Sequence, residues 1–290
     1  MGNCIITRLS SVSEDILKLN EFAIKTISPT TSILLYVNAY TTARIIGTGT
    51  FVATGTKEQS SSSSINIATT NVGDIVIVSN KHNIKRFYDW AAYTQFNLAQ
   101  LKYDSSLTGI SFYGDFDLKN INKNLSSIYL YEDKDNGDIY GTIFGDLSEL
   151  AGMSIDTIQV RSKHITGSVG VLESIETCKS VDFQKCPYLE PNIDIANIVK
   201  GSKCLLKLNS NITFSWTHRI DTYIPNLYVR VDDIDSVLVD LAPLTSYGTA
   251  SSKTPLYIFG DASTKTSASD SAVSTLKGKN CDVIINGAPL

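Results

Sequence analysis

Apolar residues recur in a six-residue pattern through the middle of the chain, Leu-x-x-Ile-x-(Phe/Leu/Val), separated by polar positions. Copies begin at Leu107, at Leu125 and, with Ile in the first place, at Ile155. A shorter pattern, Ile-x-Gly-x-(Ile/Val), follows two of these copies and begins at Ile139 and Ile165. A short strand that returns in this way is typical of a solenoid, whose repeats are too small to bury an apolar face alone. The pattern therefore favours binding or architecture over catalysis.

Within each copy the last two apolar residues are expected to face the core, because successive side chains of a strand point to opposite faces. The residue between them, which is Ser111, Tyr129 or Gln159, is then expected to point outward and to form a stacked face. Tyr131 joins Tyr129 on that face. Exposed aromatic residues contact sugars and partner proteins well. We therefore predict a contact face at Tyr129, Tyr131 and Gln159.

The residues before the repeats are rich in β-branched and aromatic side chains and predict strands at 32–40, 43–52 and 74–79. The polar run at 55–64 predicts a mobile hairpin tip or a loop. Aromatic residues spaced by three to four positions within 88–96 predict a short helix that caps the first repeat.

After the repeats the pattern changes again. Strands are predicted at 211–216, 225–230 and 256–259, and a helix at 232–241 because its apolar residues share one face. A second helix is predicted to begin near Asp270, where Ser267 to Asp270 resembles a capping box, and a last strand includes 283–285.

These patterns predict a mixed, β-rich fold in three parts. An N-terminal β-sandwich-like domain is expected at 1–86, and a short irregular leucine-rich-repeat-like solenoid at 87–201. An α+β C-terminal domain is expected at 202–290, as a cap on the repeats or an appended domain.

Composition narrows the function. The net charge of -4 argues against nucleic-acid binding, and no run of 18 apolar residues is present to span a membrane. The first residues lack the pattern of a secretion signal, so synthesis in a cytoplasm without ordinary export is expected. Charged residues are only 19% of the chain, which suits strands and turns better than long charged helices.

Catalytic and metal chemistry find little support in the motifs. The five cysteines lack the paired spacing of zinc sites, and Cys178 and Cys186 are expected to be buried thiols, with a bridge between them as the alternative. Asp133, Asp135 and Asp138 offer oxygens for calcium, although Asn136-Gly137 also explains this segment as a turn. Nucleophile elbows and glycine-rich phosphate loops are absent from the sequence. We therefore predict that the protein has no catalytic residue and no cofactor and is not an enzyme.

Several stretches together resemble one family. They are MGNCIITRL, VGDIVIVSNKHNIKRF, the repeats with IxGxI, VLVDLAP, and LYIFGDASTKTSASDSAVSTLKGKNCDVIING, where Lys265 stands in place of the family's usual Arg. The chain resembles the leucine-rich-repeat-like virion structural proteins of tailed phages that infect Bacteroides, including crAss-like phages.

The resemblance implies a phage structural protein, a head fibre, tail-associated fibre or other capsid decoration. It implies virion localisation after synthesis in the host bacterial cytoplasm. Other virion proteins are the expected partners. The protein is also expected to form a homo-oligomer (a dimer or trimer) and to contact a host-surface glycan. Neither nucleic acid nor membrane is an expected partner. The alternative is a bacterial surface repeat adhesin that binds host glycan or protein.

Overall fold

The computed structural model describes residues 22–26, 32–37, 41–46, 59–61, 64–68, 75–78, 84–96, 107–113, 116–132, 141–175, 177–198, 205–217, 226–244 and 251–290. Over these residues the protein is β-rich, with antiparallel and parallel pairs of strands and few helices. The β-rich part of the fold prediction is thereby confirmed. The chain divides into two compact units, the first with residues 1–125 and 129–143 and the second with residues 126–128 and 144–290.

Antiparallel strands dominate the described part of the first unit. Its strands are β1 (Phe22–Thr26), β2 (Ser32–Val37), β3 (Thr41–Ile46), β4 (Gln59–Ser61), β5 (Ser64–Ala68), β6 (Ile75–Val78), β7 (Ile84–Phe96), β8 (Gly109–Tyr113) and β9 (Phe116–Asp117). One set of antiparallel pairs runs β4-β3-β6-β1, and another joins β5 to β2. The long strand β7 pairs with β2 through its first half and with β1 through its end, so one strand serves both sets.

One local prediction in this unit is wrong. The aromatic segment 88–96 was expected to be helical, but its backbone belongs to the 13-residue strand β7. Aromatic side chains also favour strands, and pairing with β1, β2 and β8 outweighs a helical spacing of a few residues. The polar run 55–64 is expected to be a hairpin tip or a loop, and its described residues, 59–61 and 64, belong to β4 and to the start of β5. The strands predicted at 32–40, 43–52 and 74–79 are present as β2, β3 and β6.

The second unit is organised by parallel strands. After β10 (Ser127–Tyr131) and β11 (Ile143–Asp146), which each have residues in both units, its strands are β12 (Thr157–Arg161), β13 (His164–Ser168), β14 (Ser180–Asp182), β15 (Tyr188–Glu190), β16 (Leu205–Lys207), β17 (Thr213–Phe214), β18 (Asn226–Val231), β19 (Thr254–Phe259), β20 (Cys281–Ile285) and β21 (Ala288–Pro289). We call β12-β14-β16-β18-β19-β20 the long parallel sheet. We call β11-β13-β15 the short parallel sheet.

A column of apolar residues runs across the long parallel sheet, one from each strand and each in register with the next. It consists of Ile158, Val181, Leu206, Leu227, Leu256 and Val283, all buried. Successive members lie about 20 to 30 residues apart, the length of one strand-containing repeat. Burying each such side chain contributes about 1.5–3 kcal/mol. The column continues from β14 to β16 and so crosses residue 201, where the sequence pattern had suggested a change of domain.

Each pair of neighbouring strands in the long parallel sheet is joined by a return segment, and most of these segments contain a helical turn that begins at a capping side chain. The early segments hold a short-sheet strand and one helical turn. These turns are Val169–Ser174 between β12 and β14 and α1 (Ile195–Ile198) between β14 and β16, and Leu147–Leu150 is the equivalent turn in the segment that leads from β10 to β12. Late returns hold longer helices, α2 (Ile234–Leu241) and α3 (Asp270–Gly278). In each cap a side-chain oxygen accepts the backbone N–H of a residue two or three positions later in the chain. The capping residues are Asp146, Ser168, Asp194, Asp233 and Asp261.

The helices predicted at 232–241 and after Asp270 are confirmed, with their apolar stripes buried. The expected capping box at Ser267 takes a different form. Thr266 accepts the N–H of Ala268, and Asp235 of α2 accepts hydrogen bonds from the backbone and hydroxyl of Thr266 and from the hydroxyl of Ser269. The start of α3 is therefore fixed by the neighbouring helix.

Candidate functional site

The outward side of the long parallel sheet carries the strongest candidate for a contact surface. Along β18 and β19 the side chains alternate between buried and half-buried, as expected when one face is covered and the other is open. The half-buried positions on these strands are Asn226, Tyr228, Arg230, Pro255, Tyr257 and Phe259. The open side is therefore rich in aromatic residues.

Register places these residues in rows. Lys207, Tyr228, Tyr257 and Ile284 occupy equivalent positions on four successive strands, which are spaced by about 4.8 Å in such a sheet. Arg230 and Phe259 are paired in the next row. We call Lys207, Tyr228, Arg230, Tyr257, Phe259 and Ile284 the aromatic-basic face.

Contacts between rings hold the centre of this face. The Tyr228 and Tyr257 ring centroids are 5.5 Å apart with a tilt of 44°, and those of Tyr228 and Phe259 are 4.8 Å apart with a tilt of 52°. Tilted pairs at 4.5–7 Å are favourable because the edge of one ring meets the face of another. The three rings form a preorganised cluster, so little side-chain entropy remains to be lost when a partner binds.

Arg230 places a positive charge beside the rings. Its Nε donates a hydrogen bond of 3.2 Å to Thr213 Oγ1, which fixes the guanidinium direction. Its charge also reaches Asp261. Hydrogen bonds from Ser263 lower the pKa of Asp261 most, burial opposes them, and the charge of Arg230 adds the smallest lowering effect. Tyr, Phe and Arg are enriched in the centres of protein interfaces.

The short parallel sheet presents a different surface. Its outward residues include His164, Thr166, Tyr188 and Glu190, all exposed, with 67% of Tyr188 accessible. A hydrogen-bonded chain lies beside them, in which Ser168 Oγ donates to Asn192 Oδ1 at 2.6 Å and Asn192 Nδ2 donates to Glu190 Oε2 at 3.1 Å. The outward surface of the short parallel sheet is therefore mainly polar, whereas that of the long parallel sheet is rich in aromatic residues.

Asp146 and Gly167 connect two strands of the short sheet. Hydrogen bonds from Ser148, and more weakly from Thr166, lower the pKa of Asp146 against a smaller effect of burial. Gly167 has φ +93°, and a Cβ at this position would lie 2.5 Å from Asp146 Oδ1. A glycine is required here both for the backbone conformation and for the close approach of the carboxylate.

Negative charge collects around the short sheet. The segments 144–155, 164–175 and 187–198 contain no Lys or Arg. They contain the carboxylates Asp146, Glu149, Glu173, Glu190 and Asp194. We call these five residues the acidic side, and their combined formal charge exceeds in magnitude the net charge of -4 of the whole chain.

The predicted contact residues have the expected alternation. Tyr129 and Tyr131 are half-buried on β10, while Ile128 and Leu130 beside them are buried. Gln159 is half-buried on β12 and in register with Asp182. Ser111, expected to point outward, is only 3% exposed. The calcium candidates Asp133, Asp135 and Asp138 lie outside the described residues, and the contact role of Tyr129, Tyr131 and Gln159 stays a prediction.

Sequence reasoning missed Tyr228, although a signal for it exists. Ile224-Pro-Asn-Leu227-Tyr-Val229 repeats the six-residue pattern and puts Tyr228 in the place of Tyr129 and Gln159. Cys178-Lys-Ser-Val181-Asp-Phe183 is another copy, with Cys in the first place. Allowing Cys in the first place and Val or Leu in the fourth, and extending the search past residue 201, would have found both.

The cysteines are structural where the structure describes them. Cys178 and Cys186 are buried free thiols, as predicted, and their Sγ atoms lie 3.5 Å from Ser180 O and 3.3 Å from Val160 O. Burial, with a smaller effect of Asp282, raises the pKa of Cys281 to about 12, so this thiol stays protonated. Among the described residues no group of three or more His, Cys, Asp or Glu is arranged to hold a metal ion.

No helix in the described segments is both long and apolar enough to cross a membrane. Comparison of the chain with known protein families, with curated proteins and with solved structures gives no match.

Proposed function

We propose that the chain is a non-enzymatic structural component of a phage virion, a head fibre or another fibre-like surface protein that acts through protein-protein contacts. The aromatic-basic face is the observation that carries this proposal. It joins three packed rings to Arg230 and Lys207 on one open sheet surface. Such a surface suits a protein partner better than a small substrate, because its groups are spread over four strands.

The proposed fold behind this function is an N-terminal β-sandwich-like domain followed by a leucine-rich-repeat-like solenoid. The buried column of the long parallel sheet supports the solenoid, since each strand adds one apolar residue to a core shared with its neighbours. In a fibre-like protein, such stacking provides a rigid spacer with an open face along one sheet. The stretches that resemble Bacteroides phage virion proteins support the assignment to a particle.

The test is to purify particles of a phage that encodes this chain. Mass spectrometry of the particle proteins and gold-labelled antibodies in electron microscopy are expected to find the chain on the surface. A Tyr228→Ser/Tyr257→Ser variant is expected to incorporate poorly, while Val239→Ala, at an exposed position of α2, incorporates normally. Absence of the wild-type chain from purified particles would contradict the proposal.

A bacterial surface adhesin is the second candidate. Tyr188 favours it, because a 67% exposed ring beside Glu190 and Asn192 resembles the stacking and hydrogen-bonding groups that hold a sugar ring. Binding of the purified chain to immobilised glycans, lost in Tyr188→Ala and kept in Tyr228→Ser, would support this role. Binding to no glycan, with the chain present in particles, would reject it.

A further inference from the structure

We propose that the aromatic-basic face of one copy docks on the acidic side of a second copy. This inference rests on the proposed function and names a partner for the same surface. The two surfaces belong to one unit of the chain and carry opposite charge. Lys207 and Arg230 lie on the long parallel sheet, and five carboxylates lie in the strands of the short one or in the segments that follow these strands.

The charge difference is local and not a property of the whole chain. The aromatic-basic face has two cations and no carboxylate among its six members. The carboxylates next to this face are held by other groups. Asp182, in the row of Lys207, is buried and accepts the N–H of Gln184. Asp261 near Arg230 accepts the N–H of Ser263, and Asp282 on β20 is paired with Lys253. The acidic side has no cation within its three segments. Opposite potentials of this kind guide association and fix the orientation of partners.

Apolar contact adds to the charge. Tyr228, Tyr257 and Phe259 offer a preorganised ring cluster, and the acidic side carries its own protruding ring, Tyr188. An aromatic residue on each surface gives the contact a centre from which water is excluded, while the charges surround it. The proposed contact therefore has both an apolar centre and a charged rim.

The geometry of the contact determines what it builds. The two surfaces differ, so the contact is heterologous and leaves one free surface of each kind at the ends of a dimer. Further copies then add, and they form a ring if the rotation closes or a filament if it does not. Assembly is expected to depend on protein concentration and to weaken as salt screens the charges.

The test uses the full chain in sedimentation velocity and multi-angle light scattering, at low and high salt. Wild type is expected to form assemblies larger than a monomer at low salt. Lys207→Glu/Arg230→Glu is expected to weaken self-association about tenfold or more. Glu173→Lys/Glu190→Lys, which reverses charge on the acidic side, is expected to do the same. Lys277→Glu, on the exposed face of α3, is the control and is expected to assemble like wild type.

Recombining the variants separates charge complementarity from loss of folding. A mixture of the two double variants is expected to assemble again, because each supplies the charge that the other lacks. The variant with all four substitutions is also expected to self-associate. Circular dichroism checks that every variant keeps its β-rich spectrum.

Three outcomes would overturn the inference. The first is that the wild type is monomeric at all salt and protein concentrations. The second is that the double variants assemble as well as the wild type. The third is a mixture that stays monomeric although both double variants are folded. If particles contain the chain while the wild type stays monomeric in solution, only the self-docking fails and the proposed function stands.

Discussion

The early and late strands of the second unit belong to one sheet, the long parallel sheet, but the return segments that connect them differ. Between β12 and β14 the chain passes through β13 and one helical turn, whereas between β18 and β19 it passes through α2. The strands contribute the same buried column in both regions. The buried column is therefore common to all the strands, whereas the form of each return segment depends on its own local sequence.

The caps explain why the helical turn begins in the same way in both kinds of return. An Asp or Ser oxygen accepts a nearby N–H, and a buried apolar residue comes next, as in Asp146-Leu147, Ser168-Val169, Asp194-Ile195 and Asp233-Ile234. The two kinds of return differ in the residues beyond this first turn. After Asp233 apolar residues continue with helical spacing, so the turn extends into α2. After Asp146 this spacing is not sustained, and Gly152, with φ +72°, lies shortly after the turn.

The largest expected effect comes from emptying the core of a late return. Leu238→Ala removes a fully buried side chain of α2 and is expected to lower the free energy of unfolding by about 2–5 kcal/mol. Val239→Ala, at the neighbouring position that is 49% exposed, is expected to change it by no more than about 0.5 kcal/mol. Urea denaturation followed by circular dichroism measures both. Equal effects would mean that α2 does not pack its apolar face as described.

A second test addresses the early returns, which depend on glycine. Gly152→Ala is expected to cost about 1–2 kcal/mol because its positive φ disfavours a side chain, while nothing lies near the new methyl group. Gly167→Ala is expected to cost more, because its Cβ also meets the Asp146 carboxylate. Denaturation midpoints rank the two variants. The reverse ranking would contradict the close approach between Gly167 and Asp146.

Much of this organisation was predictable. The copies at Leu125 and Ile155 identified buried strand positions, and the stripe of Ile234, Val237, Leu238 and Leu241 identified α2. These signals are strong because one side of each element is fully covered.

Other features could not be read from the same pattern. The long sheet beyond residue 201 was hidden because Cys178 replaced the expected leucine and longer returns separated the later strands. The tie between Asp235 and the start of α3 joins residues far apart in sequence, so no local motif reveals it. The aromatic-basic face likewise arises from register between strands that lie 20 or more residues apart.

The caps are expected to contribute equally in both regions. Asp233→Ala, in a late return, and Asp146→Ala, in an early one, each remove an oxygen that accepts a backbone N–H at the first turn. Each is expected to cost about 0.5–2 kcal/mol, measured by urea denaturation. A much larger loss for Asp233→Ala would show that the late return depends on its cap in a way that the early return does not.

The smallest expected effect is a pH dependence that is specific to the late return. Burial raises the pKa of Asp235, but hydrogen bonds from Ser269 and Thr266, with the charge of Lys265, together bring it below the ordinary value of 3.8. The unfolded chain therefore takes up this proton at a higher pH than the folded chain, so the stabilising contribution is complete above 3.8 and is lost as pH falls through the lower folded value. Asp235→Asn is accordingly expected to differ from wild type by a constant free energy of unfolding between about pH 5 and 7. The difference is expected to shrink in more acid solution, and urea denaturation at a series of pH values measures it. A difference that widened below pH 3.8 would contradict the assigned hydrogen bonds, and would remove the reason for treating Asp235 as the residue that fixes α3 to α2.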